Sequence, residues 1–127
     1  MKQEDKDLLL KDLCARLPYG VKLNMKGLIG VSHHTTITYG KNAEIHFRYG
    51  RNDYFINEIK PCLFPLSSMT EDQLNEIRSY NNSIEGKLVG MQGRSVYLID
   101  WLNEHHFDYR GLIEKGLAID ATGLNIY

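Results

Sequence analysis

The stretch WLNEHHFDYRGLIEKG, residues 101–116, sets a glutamate, two adjacent histidines, an aspartate, a tyrosine and an arginine within seven positions. These are the residue types of metal ligands and of general acids and bases. The spacing argues against a metal. Neighbouring side chains point about 100° apart on a helix and to opposite faces on a strand, so His105 and His106 chelate one ion poorly. The order NEHH also lacks the i, i+4 histidine pair of the HExxH motif. With Cys14 and Cys62 as further candidates, a site would have to take one histidine from each of the pairs His33-His34 and His105-His106 and combine them with His46.

Catalytic chemistry has no signature of its own either. Ser32 beside His33, or either cysteine with a distant histidine, makes a dyad on paper, but no G-x-S-x-G elbow or protease-type cysteine signature is present. Gly27 and Gly30 fit neither the P-loop nor the dinucleotide fingerprint. No catalytic residue, metal or cofactor is expected, and enzymatic activity is disfavoured without being tied to any class.

Punctuation between helices accounts better for the opening stretch. Ser95 is suited to cap a helix reaching about His105, with Val96, Ile99 and Leu102 on one face and Tyr97 and Trp101 on the next. That helix is apolar around much of its circumference, which predicts burial. The histidines fall in its last turn, where donor or cationic side chains suit free carbonyls, and one of them should have its pKa raised there. Asp108 is placed to cap a short helix over about 109–115, with Gly116 just beyond it.

The elements that must hold this segment read as α+β: an N-terminal helix, a small antiparallel meander able to curl into a half-barrel, and C-terminal helices in a single domain, 1–127. Residues 3–16 carry acidic groups in the first turns and a stripe of Leu9, Leu10, Leu13 and Leu17, with Cys14 beside it as a buried inert thiol; Pro18 stops the helix. From about residue 20 to 60 the period changes to two. VKLNM alternates Val21, Leu23 and Met25 against Lys22 and Asn24, and EIHFRY alternates Ile45, Phe47 and Tyr49 against His46 and Arg48. Turn residues fall at 26–27, 40–42 and 50–53. Pro61 and Pro65 argue for an extended connection and against a central strand. Thr70 and Gln73 form a capping box, Met69 can staple onto Leu74, and a helix over about 71–80 follows. The stretch EGKLVGMQGR reads as a loop or weak strand.

Composition narrows the setting. The 127 residues carry 43% apolar and 24% charged side chains, enough for a core of their own. A net charge of −1 offers no global field for nucleic acid. No apolar run is long enough for a membrane span or a signal peptide, and two isolated cysteines suggest no disulfide framework, so a reduced cytoplasmic protein is expected. The sequon at Asn81 carries no meaning without secretion.

LPYGVK, KPCLFPLSSMTEDQ and DWLNEHHFDYRGLIEKGLAID together resemble a group of short uncharacterised proteins encoded in phage-like and mobile regions of gut anaerobes. In that group the middle motif runs closer to Lys-Pro-Tyr-Leu-Arg-Pro; Cys62 and Phe64 stand here in place of its tyrosine and arginine. The resemblance covers about a third of the chain directly. It implies a cytosolic setting in a bacterial or phage-infected cell and no particular activity.

Two binding functions follow as expectations. The first is a module that docks an unidentified protein partner, its oligomeric state open and no membrane involved. The second is single-stranded nucleic-acid binding on the sheet, where Tyr39, Lys41, Arg48, Arg51 and Tyr54 interleave aromatic and basic groups as a stacking platform does. Tyr49 shares its face with Ile45 and Phe47 and belongs with the core, leaving Tyr39 and Tyr54 as the free rings.

Overall fold

The computed structural model describes residues 1–31 and 45–127 in full and residues 35–39 as strand backbone. Helix α1, Gln3–Arg16, starts with Glu4 and Asp5 in its first turn and ends in a 3-10 turn, Leu17–Tyr19, where Pro18 and a left-handed Gly20 (φ 69°) redirect the chain. It buries Leu9 and Leu13, as its stripe predicts, and unexpectedly also Asp12 and Arg16. Cys14 is exposed, a correction to the buried thiol expected; Cys62 is the buried one.

The meander forms, but divided into two open sheets. One contains β1 (Lys22–Met25), β2 (Leu28–Val31) and β6 (Ile59–Pro65). The other is an antiparallel run of β3 (Thr35–Tyr39), β4 (Ile45–Tyr49) and β5 (Asn52–Phe55). Leu23, Met25, Phe47, Tyr54 and Ile59 from both sheets meet Leu9, Leu13 and Leu112 in the larger core. The alternation of VKLNM thus appears as alternating burial, and in β4 Phe47 is buried between a half-buried His46 and an exposed Arg48.

β6 corrects the reading of its prolines, because it is an inner strand, hydrogen-bonded to β1 and to two short strands from the C-terminal part of the chain. The antiparallel ladder with β1 ends at Leu23 opposite Pro61. Parallel pairing with β8 (Ile119–Asp120) begins only at Cys62, and with β7 (Phe107–Asp108) at Phe64. Pro61 therefore sits where one neighbour hands over to the next, and Pro65 ends the strand. A missing N–H costs least at those two places.

Helix α2, Glu71–Asn82, begins with the capping box in full: the Gln73 amide donates to Thr70 Oγ1 at 3.2 Å and the Thr70 amide to Gln73 Oε1 at 2.9 Å. Helix α3, Ile84–Glu104, overturns the loop expected at 85–94. Its cap is Ser83, whose hydroxyl accepts from the Gly86 amide at 3.0 Å; Ser95 lies inside the helix and donates back to the Met91 carbonyl. Gly90, at φ 70° and ψ −171°, breaks α3 into arms 84–89 and 91–104, a backbone state closed to most side chains. Gly86 lets α3 approach α2, since a Cβ there would lie 2.1 Å from the Tyr80 carbonyl oxygen. The second arm packs on α2 through stacked Tyr80 and Tyr97, 3.7 Å apart, and buries Trp101 and Leu102 with Ile77 and Phe107 in a smaller core.

No helix forms over 109–115. Asp108 accepts from the Leu112 and Ile113 amides at 3.0 and 2.9 Å, the capping contact its position suggests, but Gly111 turns left-handed (φ 73°) and the segment remains a series of turns. No helix among the described residues is long and apolar enough to cross a membrane.

Candidate interaction surface

The polar residues of the opening stretch divide between a helix end, a buried ion network and a cleft. His105 is the C-cap of α3, and its Nδ1 lies 2.9 Å from the Trp101 carbonyl, a contact that requires the proton on Nδ1. Its ring stacks on Trp101 at 3.9 Å. His106 follows in the left-handed region (φ 64°), a conformation usually left to Gly or Asn after a helix. Its ring stacks on Tyr127 at 4.0 Å, and its Nδ1 is buried without a hydrogen-bond partner among the described residues. The helix dipole predicted a raised histidine pKa. For His106 the opposite holds: burial first, then the charges of Arg16, His105 and Lys22, push it down to about 4.

Tyr127 completes this corner. Its hydroxyl accepts from the Lys22 amide at 2.7 Å and donates to the Cys62 carbonyl at 2.7 Å, bridging β1 and β6 beyond the last rung of their ladder. The Lys22 ammonium also meets the Ile126 carbonyl. Burial raises the pKa of the Tyr127 phenol and of the Cys62 thiol, so both are protonated at neutral pH and Cys62 is a poor nucleophile. A cleft of about 500 Å3 opens beside them, walled by Phe64, Phe107, His106 and Tyr127, with Gln73 and Glu104 at its polar edge.

The ion network joins the two ends of the sequence. Arg16 donates through Nε to Asp12 at 2.8 Å and through Nη2 to the Phe107 carbonyl at 2.6 Å, both side chains fully buried. Arg110 reaches the other Asp12 oxygen at 3.2 Å, and both guanidiniums lie over the Tyr109 ring, whose hydroxyl donates to Asn103. This arrangement clamps α1 to the segment after α3. Its physical role is to hold Phe107–Arg110 in place.

Of the sheet residues proposed for nucleic acid, Arg48, Arg51 and Tyr54 are among those described in full. Tyr54 is buried in the larger core, 8% exposed, which corrects its placement as a free ring and leaves no face for a base. Arg48 is exposed and ion-paired with Asp53 at 2.9 Å, each holding the other's charge: the arginine pKa is raised and the aspartate pKa lowered, mainly by that hydrogen bond. Arg51 is exposed on the turn between β4 and β5. Tyr39 ends β3 with its side chain outside the described residues, where Lys41, His33 and His34 also lie. Among the described residues, no three His, Cys, Asp or Glu side chains converge as metal ligands would.

The most unusual surface is α3 itself. Burial is the sequence expectation for the helix over about 95–105, and the structure meets it at Trp101 and Leu102 but overturns it at Val96, 57% exposed, and at Leu98 and Ile99; in the arm read as a loop, Ile84 is 80% exposed, Leu88 82% and Met91 77%, with Val89 also exposed. Tyr97 and Trp101 turn one side of the second arm into the fold, and Val96 and Ile99 project from the other. Seven exposed apolar side chains on one helix exceed the scattered single exposures normal for a surface. No family model, curated relative or solved structure matches the chain. The assignment of a role rests on this surface. Sequence reasoning missed it because period and composition report apolarity and say nothing of which neighbours arrive to cover it; the Gly-rich half, 86–93, was the available sign that α3 is not an ordinary core helix.

Proposed function

We propose that the protein is a non-enzymatic binding module that docks a protein partner on the exposed apolar face of α3. The observation that carries this reading is the exposure of Ile84, Leu88 and Met91, each more than three-quarters open to solvent. Exposed apolar side chains gathered on one element gain free energy on burial and are characteristic of recognition sites. The ion network and Tyr127 supply a fixed base for the helix, so docking need not first order the fold. The motif resemblance supports the cytosol of a bacterial or phage-infected cell as the setting.

Affinity capture from such cells, with the wild-type protein and a Leu88→Asp/Met91→Asp double variant and with and without nuclease, tests the reading. Both substituted positions are exposed, so circular dichroism of the variant should match wild type. A protein retained by the wild type after nuclease and lost with the variant is the expected result. Retention unaffected by the variant overturns the α3 face, and loss on nuclease treatment transfers the assignment to nucleic acid.

A further inference from the structure

The cleft of about 500 Å3 beside Tyr127 has the volume of a small-molecule site. Its walls are aromatic: Phe64 lies 6.0 Å from Phe107 and 5.6 Å from Tyr127, and His106 stacks on Tyr127 at 4.0 Å. The Tyr127 ring is 44% exposed, yet its hydroxyl is fixed at 2.7 Å by both the Lys22 amide and the Cys62 carbonyl. That wall is therefore in place before any ligand arrives. The polar edge divides into engaged and free groups. Ser68 donates to the Pro65 carbonyl at 2.7 Å, and the Thr70 hydroxyl and the Gln73 side-chain oxygen are held in the capping box. The Gln73 side-chain nitrogen is left as a donor and the Glu104 carboxylate as an acceptor, and among the described residues neither has a hydrogen-bond partner. Glu104 brings a negative charge to this edge, while His106 is held neutral at neutral pH. The cations nearby are engaged in the fold, Lys22 with the Ile126 carbonyl and Arg16 with Asp12 and the Phe107 carbonyl.

We propose that this cleft binds a small, uncharged heteroaromatic ring with an amino group next to a ring nitrogen, the pattern of an aminopurine or aminopyrimidine base. The aromatic walls pack on the ring. Glu104 accepts a hydrogen bond from the amino group, and the Gln73 side-chain nitrogen donates to the neighbouring ring nitrogen. A ring that carries a carbonyl in place of the amino group sets one acceptor against another at Glu104, and an anionic ligand meets like charge there. The site is separate from the docking face, since Leu88 and Met91 do not line it.

The test titrates the full-length protein by calorimetry with adenosine and cytidine, which carry the amino group, and with inosine and uridine, which carry a carbonyl in its place. At least one amino nucleoside should bind at one site per chain, about tenfold or more tightly than its carbonyl counterpart, as expected when a charge-assisted hydrogen bond is lost. Glu104→Ala, at an exposed position, should keep the wild-type circular dichroism, weaken the amino nucleoside about tenfold and leave the carbonyl one unchanged. Leu88→Asp/Met91→Asp should leave nucleoside binding as it is, so this test and that of the docking face can fail separately. No saturable binding of either amino nucleoside up to about 1 mM overturns the proposal. Equal affinities within both pairs do the same, as does Glu104→Ala without effect on the amino nucleoside. Loss of nucleoside binding in Leu88→Asp/Met91→Asp overturns the placement of the site in the cleft.

Discussion

His106 gives the folded state a sensitivity to acid that runs opposite to the one its place at a helix end suggests. In the unfolded chain its imidazole titrates near the ordinary value of 6.5; in the fold it resists protonation until about 4. As pH falls through that window the unfolded chain binds the proton more readily, so stability is lost, and it is fully present only above about 6.5. The full shift corresponds to about 3 kcal/mol at about 1.4 kcal/mol per pH unit. His106 is only partly buried, and solvent screening should bring the realised loss to about 1–2 kcal/mol. His106→Asn removes the titration and keeps a residue that tolerates the left-handed backbone. Urea unfolding of both proteins at pH 7.5 and pH 4.5 should show the wild type losing about 1–2 kcal/mol more than the variant on acidification. Equal losses, or a wild type that gains relative to His106→Asn at low pH, would refute the argument and restore the dipole as the dominant influence.

Thr70→Ala should lower the urea midpoint by an amount equivalent to about 1 kcal/mol, because it deletes the capping bond at α2. Trp101→Ala should cost roughly 3–5 kcal/mol, and native Trp101 fluorescence should be blue-shifted, since the ring is 3% exposed; emission like that of free indole in water would contradict this. Asp12→Ala strands the fully buried Arg16 guanidinium and should destabilise by about 3–5 kcal/mol in thermal or chemical unfolding. Tyr127→Phe leaves the Cys62 carbonyl and the Lys22 amide without their bridge and should cost about 1–3 kcal/mol, read as a lowered Tm.

The parts of this fold legible in the sequence are those whose cause is local. The capping box needs only Thr70 and Gln73, three residues apart, and both bonds are present. The strand 45–49 announces itself by alternation, and Phe47 is buried as that alternation requires. What was not legible depends on distant partners. Asp12 and Arg16 look like the solvated face of α1 until Arg110, 98 positions from Asp12, and the Phe107 carbonyl, 91 positions from Arg16, arrive to pair with them. The prolines of β6 looked prohibitive because a central strand needs two complete ladders. Its neighbours instead take over from one another at Pro61.

The misreading of α3 has two separate causes, and together they define the surface proposed for docking. Three glycines lower helix propensity between 86 and 93, so the first arm was unreadable as a helix without the Ser83 cap and the close approach to Tyr80. The second arm was readable as a helix but not as a half-covered one. Its apolar circumference predicts burial only if neighbours surround it. In this fold, Tyr80 from α2 and Phe107 from β7 cover the side bearing Tyr97 and Trp101. Val96 and Ile99 keep the apolar character of a core helix without the core. A helix built for burial and left open on one side is stabilised further by whatever completes its covering. That is the physical content of calling α3 a docking surface.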